Sequence, residues 1–289
     1  MTTPGGPPVL SLLADVRESL AALPAEALAE PSSAVLLAEL TGHLIHRLSH
    51  PDAPALVAVT GPTGAGKSTL VNALAGADLS PTGPLRPTTR TPVLLHRAED
   101  ARWFPGDRRF VPEWQAVTAV PCAGLPAGVA LLDTPAAAGP LLFVADVWVF
   151  VTTATRYADA AGWATLRSAG GRSGDLAVVL DRVPPDVLPT VRPELTRLLE
   201  SAGLAQTDVL VVAEAALTGP PGEARLPDNA VLGVRAWLER LRTGRGTREA
   251  ILHRSVAGSV AALAAPLAAL DARVGDPRLH RAIRALGAR

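Results

Sequence analysis

Eight residues, 61–68, constrain the fold of this chain more than any other stretch. They read Gly-Pro-Thr-Gly-Ala-Gly-Lys-Ser and match the pattern G-x-x-x-x-G-K-S. An unbroken apolar run at 55–59 precedes them, as expected of a strand that is buried on both faces, and a helical pattern at 68–75 follows. The order strand, glycine-rich loop, helix predicts a loop whose main-chain N–H groups converge on a phosphate at a helix N-terminus.

The residue types in this loop also predict how phosphates are held. The ammonium of Lys67 would reach the β- and γ-phosphates, and the hydroxyl of Ser68 would coordinate Mg²⁺. Lys67 is the only lysine in the chain, which indicates a position where arginine cannot replace it. We therefore predict Lys67 as a catalytic residue. The predicted nucleotide-binding residues of the loop are Gly61, Thr63, Gly64, Ala65, Gly66, Lys67, Ser68 and Thr69.

Further apolar runs follow along the chain, and helical patterns separate most of them. This alternation predicts a three-layer α/β domain with a mostly parallel sheet, flanked by N- and C-terminal helices. The segment 97–128 is expected to form a hairpin or an irregular excursion. The predicted strands are 55–59, 92–95, 129–132, 147–151, 176–180 and 209–212, and the predicted helices between them are 68–75, 158–168, 185–201 and 229–242.

The two ends of the chain have helical patterns. We predict a helical segment over 1–53, with helices at 9–23 and 34–48, a nucleotide-binding domain over 54–245 and a helical segment over 246–289. The uncharged stretch 255–270 is shorter than the roughly twenty residues that cross a bilayer, so we expect a helix, interrupted by Pro266, that packs on the N-terminal pair. Three histidines near residue 50 lack a carboxylate that would complete a metal site, so we expect them to serve packing.

Composition narrows the possible partners and the compartment. Lys+Arg 27 and Asp+Glu 27 give a net charge of zero, so no nucleic-acid partner is evident and peripheral membrane contact stays open but unsupported. A single cysteine, Cys122, and the absence of a leader-like pattern over residues 1–8 predict a cytoplasmic protein. The protein partner is not indicated.

The apolar run at 129–132 ends in Asp133. Because ligands of α/β sheets bind at the carboxyl ends of the strands, this position places a carboxylate beside the glycine-rich loop. We predict that Asp133 holds Mg²⁺ through water, together with Ser68.

Two stretches carry a family resemblance. Gly-Lys-Ser-Thr-Leu-Val-Asn-Ala-Leu at 66–74 resembles the loop and first helix of translation-factor-class P-loop GTPases, and Arg-Pro-Thr-Thr-Arg-Thr-Pro-Val at 86–93 resembles the first switch of dynamin-like bacterial GTPases. The resemblance implies GTP as the substrate. It also implies that Thr89, with Thr88 as the near alternative, coordinates Mg²⁺ and acts in catalysis. Asp133-Thr-Pro is similar to the start of the second switch.

Several positions depart from the family pattern. The fourth position of the second switch is Ala136 where relatives have glycine, and Thr63 and Gly64 stand where dynamins carry a glutamine and a serine that position the attacking water. In the base-specificity motif, Asp181 and Arg182 occupy the first two positions, and Pro184 replaces the aspartate that reads guanine. Asp181 and Arg182 are still predicted to bind the nucleotide, Arg182 by stacking on the purine.

The leading hypothesis is Mg²⁺-dependent GTP binding with slow hydrolysis that drives a conformational switch. One alternative is a pseudo-GTPase scaffold that binds nucleotide without useful hydrolysis. Another is an ATP-using P-loop protein, because the loop alone does not select the base. Arg86 and Arg90 are candidates for an internal arginine finger.

Overall fold

The computed structural model of the protein describes residues 9–28, 36–37, 39–82, 91–104, 114, 116–135, 139–171, 175–219, 225–242 and 245–287. Thr88, Thr89, Arg86, Arg90 and Ala136 lie outside these residues, so the predictions made for them stay predictions.

The strands of the described part of the chain are β1 Ala55–Thr60, β2 Val93–His96, β3 Thr118–Pro121, β4 Val129–Asp133, β5 Val147–Thr153, β6 Asp175–Val183 and β7 Asp208–Ala213. The α-helices are α1 Val9–Ala21, α2 Ala25–Leu28, α3 His46–Ser49, α4 Lys67–Ala75, α5 Ala160–Gly170, α6 Leu188–Ser201, α7 Leu232–Arg242, α8 Arg245–Val274 and α9 Pro277–Gly287. A π-helical segment, Glu39–Ile45, precedes α3, and 3-10 turns are found at Ala98–Trp103, Gly139–Val144 and Asp228–Val231.

The strands form one sheet in the order β3-β2-β4-β1-β5-β6-β7. Five strands, β4, β1, β5, β6 and β7, run parallel, and β2 runs antiparallel to β4. β1 lies between β4 and β5, with Val59 beside Asp133 and Thr60 beside Phe150. The carboxyl ends of these three strands therefore meet at one edge, where the glycine-rich loop begins.

Alternate side chains of the strands supply two apolar layers, as the pleat requires. Val57 and Val59 of β1 belong to the cluster formed with α4 and α7, and Leu56 and Ala58 belong to the cluster on the opposite face, formed with α5 and α6. All six residues of β1 are buried. This arrangement confirms the predicted three-layer α/β fold with a mostly parallel sheet.

Strand β3 was not predicted, and the hairpin alternative for 97–128 is wrong. β3 pairs in parallel with β2, so the chain crosses over between them instead of turning back. β3 is an edge strand with mostly exposed side chains, and it therefore lacks the apolar run that identifies the buried strands. Sequence periodicity gave no signal for it.

The terminal helices pack against each other. Leucines of α1 and of the π-helical segment form a third apolar cluster with Leu263, Leu267 and Leu270 of α8 and with α9. The described part of the predicted helix 34–48 consists of a helical pair at 36–37, the π-helical segment and α3. The division of the chain at 53/54 and 245/246 stays a prediction.

Helix α8 runs unbroken through Pro266, so the predicted interruption is wrong. Proline removes one main-chain donor, yet the leucines on both sides of it lie buried on one face, and their burial favours the continuous helix. The predicted packing of this helix on the N-terminal pair is observed. Within the described residues, one segment, Ala250–Val274 of α8, has the length and apolar composition of a membrane-crossing helix, and 33% of its most apolar window is buried in the protein.

Candidate nucleotide-binding site

The glycine-rich loop curls over the carboxyl end of β1 and enters α4 at Gly66. Gly66 adopts a left-handed φ of 98°, and a β-carbon added there would lie 2.1 Å from Oδ2 of Asp181. The position therefore needs glycine for its backbone conformation and for space. The loop stands at the N-terminus of a nine-residue helix, whose first N–H groups and partial positive charge favour an anion.

Lys67, the first residue of α4, folds back into the loop. Its ammonium donates hydrogen bonds to the main-chain oxygens of Gly61, at 2.9 Å, and Pro62, at 3.1 Å. Only 8% of the residue is exposed, so the positive charge of its ammonium lies beneath the loop and is shielded from water. The structure thus places Lys67 where phosphates at the helix N-terminus would be within reach.

Asp133 lies at the end of β4 beside this loop and is completely buried. Its Oδ2 accepts a hydrogen bond of 2.5 Å from the hydroxyl of Ser80, and the hydroxyl of Ser68 also hydrogen-bonds to this carboxyl. Oδ1 is buried without a hydrogen-bond partner. Burial raises the pKa of Asp133, while the two serine hydroxyls and the charge of Lys67 oppose the rise.

The residues around Asp133 suit a magnesium ion. Mg²⁺ prefers oxygen ligands, keeps several waters and is usually bound through one or two carboxylates. An unpartnered carboxylate oxygen beside the Ser68 hydroxyl supplies this chemistry, and buried polar atoms in proteins ordinarily have a partner. Ser68 and Asp133, the two described members of the predicted metal set, therefore lie together, whereas Thr89 is outside the described residues.

Ser80 is a site residue that the sequence analysis missed. Asn72 of α4 holds it: the Asn72 carboxamide donates to the main-chain oxygen of Ser80 at 2.8 Å and accepts from the main-chain N–H groups of Leu79 and Ser80. Asn72 is almost completely buried on an otherwise apolar helix face. A buried asparagine within an apolar helical pattern is the sequence signal that could have indicated such a clamp.

Asp181 and Arg182 lie near the carboxyl end of β6, at the same edge of the sheet, and both contact the glycine-rich loop. Asp181 is 3% exposed and lies against Gly66, and burial raises its pKa to about 6, opposed by Arg182. Arg182 has a left-handed φ of 54° and donates a 2.6 Å hydrogen bond to the main-chain oxygen of Gly64. Arg182 therefore contacts the loop backbone, and its stacking on the purine stays a prediction.

The sequence analysis also missed Arg156, which follows β5. Its guanidinium donates a 2.9 Å hydrogen bond to the main-chain oxygen of Thr63. Of the other predicted loop residues, Ala65 is buried and Thr69 is half-buried in the first turn of α4. The structure thus gathers the described members of the predicted site, namely Gly61, Thr63, Gly64, Ala65, Gly66, Lys67, Ser68, Thr69, Asp133, Asp181 and Arg182, around one edge of the sheet.

Comparison with protein-family models gives a match over residues 57–115, which include most of β1, the glycine-rich loop, α4 and β2. The matching model is described as the dynamin family. This chain resembles dynamin-like P-loop GTPases. The resemblance predicted from residues 66–74 and 86–93 is therefore confirmed, whereas a search of curated proteins gave no match.

Two solved structures align with this chain at low sequence identity. A member of an oligomerised bacterial dynamin pair, described as sensing and tethering membranes, aligns with a TM-score of 0.51 and 13% identity, over 90% of this chain and 55% of that one. This chain thus spans little more than half of that dynamin. Toc33 from Arabidopsis thaliana, solved with Mg²⁺ and GMPPNP, gives a TM-score of 0.40 and 14% identity, over 83% of this chain and 96% of Toc33. The dynamin alignment supports the fold alone.

Proposed function

We propose that this protein binds GTP together with Mg²⁺ and hydrolyses it slowly, using the loop 61–68. One observation carries the proposal. A buried ammonium, Lys67, and a buried carboxylate with an unpartnered oxygen, Asp133, flank a helix N-terminus at the carboxyl edge of the sheet. The dynamin-family match over residues 57–115 and the fold support the same class of ligand.

The chain's own groups supply the phosphate site. The N–H groups of the loop and of the first turn of α4 would bind phosphate oxygens, and Lys67 would offset the charge that develops during transfer of the γ-phosphoryl group. These groups are already oriented by the fold, so little reorganisation is needed when the nucleotide binds. Catalysis would then consist of positioning and charge stabilisation.

Ser68 and Asp133 would hold Mg²⁺, with Asp133 acting through water. When bound, the ion would neutralise negative charge on the β- and γ-phosphates. Ser80 keeps the Asp133 carboxyl in place, so the Asn72–Ser80 clamp would orient the metal site from behind. The contribution of Thr89 remains part of the proposal and rests on the family resemblance.

Selection of guanine rests on the resemblance and not on a base-reading carboxylate. Asp181 faces Gly66 and Arg182, and the side chain of Pro184 offers no acceptor for the guanine edge. Arg182 would contribute by fixing the loop through Gly64.

A second candidate function, a nucleotide-binding switch without useful hydrolysis, is favoured by the loop itself. Positions 63 and 64 carry threonine and glycine in place of the water-positioning pair expected from the resemblance. In either case, nucleotide binding would drive a conformational switch, as the family resemblance implies. The cytoplasm stays the proposed location, from the sequence alone.

Fluorescent GTP and ATP should be titrated with and without Mg²⁺, and phosphate release should then be followed at saturation. We expect GTP binding that Mg²⁺ strengthens and slow release of phosphate. Tight binding with no release above background would favour the switch without hydrolysis, and a preference for ATP would overturn the guanine assignment. Lys67→Ala should weaken binding by about a hundredfold, roughly 3 kcal/mol, while Arg167→Ala, an exposed arginine on α5, should leave it unchanged.

A further inference from the structure

Arg156 reaches the phosphate-binding loop from a different part of the fold. It lies in the turn that follows β5, where the N–H groups of Arg156 and Tyr157 both donate to the main-chain oxygen of Thr153 at 3.0 Å. Its guanidinium donates to the oxygen of Thr63 at 2.9 Å and to a carboxylate oxygen of Asp159 at 3.2 Å. Arg156 and Thr63 are 93 residues apart in sequence.

The contact with Thr63 determines the direction of a main-chain N–H. In a trans peptide the C=O of one residue and the N–H of the next lie in one plane and point in opposite directions. Arg156 is 43% exposed at its side chain and holds the Thr63 carbonyl on the solvent side of the loop. The N–H of Gly64 must then point away from Arg156, towards the concave side of the loop.

Cationic side chains also hold the neighbouring carbonyls of the loop. The carbonyls of four consecutive residues, 61–64, each accept a hydrogen bond from a cationic side chain. Lys67 holds the first two, Arg156 holds Thr63, and Arg182 holds Gly64. Because side chains of the protein hold these carbonyls, the orientation of the loop peptides is fixed before any ligand binds.

The Thr63–Gly64 peptide needs such a restraint because glycine follows it. Gly64 adopts a φ of 79°, a region that glycine enters freely together with its mirror-related alternatives. A rotated peptide would direct the Thr63 carbonyl into the hollow, where its partial negative charge would repel phosphate oxygens. Removing one fixed donor would also forfeit part of the stabilisation that oriented N–H groups give to an anion.

We propose that Arg156 is a positioning residue that fixes the Thr63–Gly64 peptide with its N–H towards the phosphates. The inference rests on the proposed function, since it presumes that the hollow binds a nucleotide. Arg156 acts through the loop backbone and needs no contact with the nucleotide. Asp159 assists by holding the other edge of the guanidinium.

The test compares Arg156→Ala, Arg156→Lys and Arg167→Ala by titration with fluorescently labelled GTP and by thermal unfolding without nucleotide. In Arg156→Ala we expect GTP affinity to fall about tenfold, because a binding-competent loop is then only a minor fraction of the free protein. Lysine retains one donor and should restore part of the affinity. Arg167→Ala removes an exposed arginine of α5 and should bind GTP like the unchanged protein.

Two readouts separate positioning from general damage. Millimolar guanidinium chloride, but not equal sodium chloride, should restore GTP binding to Arg156→Ala, since the missing donor is supplied from solution. In the free protein labelled with ¹⁵N-glycine, the Gly64 amide signal should broaden or shift in Arg156→Ala while the thermal midpoint stays within about 2 °C of that of the unchanged protein.

The outcomes keep the inference apart from the proposed function. Arg156→Ala that binds GTP within twofold of the unchanged protein, or that loses affinity only as it loses thermal stability, would overturn the positioning role. If the unchanged protein and Lys67→Ala both fail to bind nucleotide, the proposed function itself is wrong. Binding by the unchanged protein, loss in Lys67→Ala and no loss in Arg156→Ala would defeat the inference alone.

Discussion

The two ends of strand β1 bury charged groups to a similar extent but use them differently. At the amino end, Arg47 donates to Oδ1 of Asp146 at 2.8 Å and to the oxygen of Ala53 at 2.8 Å, while Oδ2 of Asp146 accepts from the N–H of Leu56 at 2.8 Å. At the carboxyl end, Asp133 and Asp181 each keep one buried oxygen without a hydrogen-bond partner.

This difference concerns the carboxylates only, because Nη2 of Arg47 at the amino end is also buried without a hydrogen-bond partner. The Arg47–Asp146 pair joins the N-terminal helices to the sheet, and both oxygens of its carboxylate are used within the protein. His43 adds to this junction through a 2.9 Å hydrogen bond to Ser255 of α8, and burial lowers its pKa. The carboxyl end instead retains unpartnered carboxylate oxygens, which cost stability in the free protein and could accept the cation or nucleotide that we propose.

The largest effect is expected from breaking the amino-end pair. Arg47→Ala leaves the Asp146 carboxylate buried without its cation, and the free energy of unfolding should fall by about 3–5 kcal/mol. Urea unfolding measures the loss, and the folded fraction should bind nucleotide within twofold of the unchanged protein. Asp146→Asn keeps one acceptor and should cost less, while Arg17→Ala, on the exposed side of α1, serves as the control. A loss below 1 kcal/mol would contradict the structural role.

The next effect concerns the carboxyl end. Asp133→Asn removes a charge that burial disfavours, so stability should change by less than about 1 kcal/mol, whereas the Mg²⁺-dependent gain in nucleotide affinity should fall about 10- to 100-fold. Nucleotide titration with Mg²⁺ and with a chelator gives this gain. An unchanged response to Mg²⁺ would remove Asp133 from the metal site.

A pH series sharpens the contrast further. Because the pKa of Asp181 is raised to about 6 in the folded protein, the folded state keeps a proton between about pH 4 and pH 6 that the unfolded chain has lost. Asp181 therefore lowers stability progressively as pH rises through this window, and the penalty is constant above it. Asp181→Asn should be about 1–3 kcal/mol more stable than the unchanged protein at pH 8 and nearly equal at pH 4.

Urea unfolding at several pH values measures this effect, with Asp186→Asn, an exposed carboxylate in the loop that follows β6, as the control. Parallel pH curves for the unchanged protein and Asp181→Asn would show that the Asp181 carboxyl carries no such penalty. A change of the same size in the Asp186 variant would assign the effect to the loop and not to burial.

The smallest effect is expected at the surface. Arg254 of α8 pairs with Asp175 at the amino end of β6 at 2.7 Å, and both side chains are partly exposed. Arg254→Ala should cost about 0.2–1 kcal/mol at low salt and less at high salt, because water and ions screen the pair. A loss comparable with that of Arg47→Ala would mean that exposure does not distinguish the two junctions.

Much of the fold could be predicted from local pattern. The apolar runs identified six of the strands within a few residues, because strands buried on both faces consist almost entirely of apolar side chains. Strand β3 did not follow this rule, because it is an exposed edge strand. Pro266 predicted an interruption of α8 that is not observed, because packing of the neighbouring leucines outweighed the local preference.

The site was predictable where its parts are adjacent in sequence. Lys67, Ser68 and the glycines lie within eight residues, so the backbone turn and the helix N-terminus that they create are set by neighbouring residues alone. Three contacts were not predictable, because each depends on how separate strands and loops meet at the sheet edge. They are the contact of Ser80 with Asp133, that of Arg156 with Thr63 and that of Asp181 with Gly66.

By itself, the sequence determined that a strand, a phosphate-binding loop and a helix follow one another, since glycine conformations and helix starts are local properties of the chain. Only the tertiary structure decided which buried carboxylates use both oxygens within the protein and which retain an oxygen without a hydrogen-bond partner. Arg47 and Asp146 are 99 residues apart and Arg156 and Thr63 are 93 apart, so only the strand order brings each pair together.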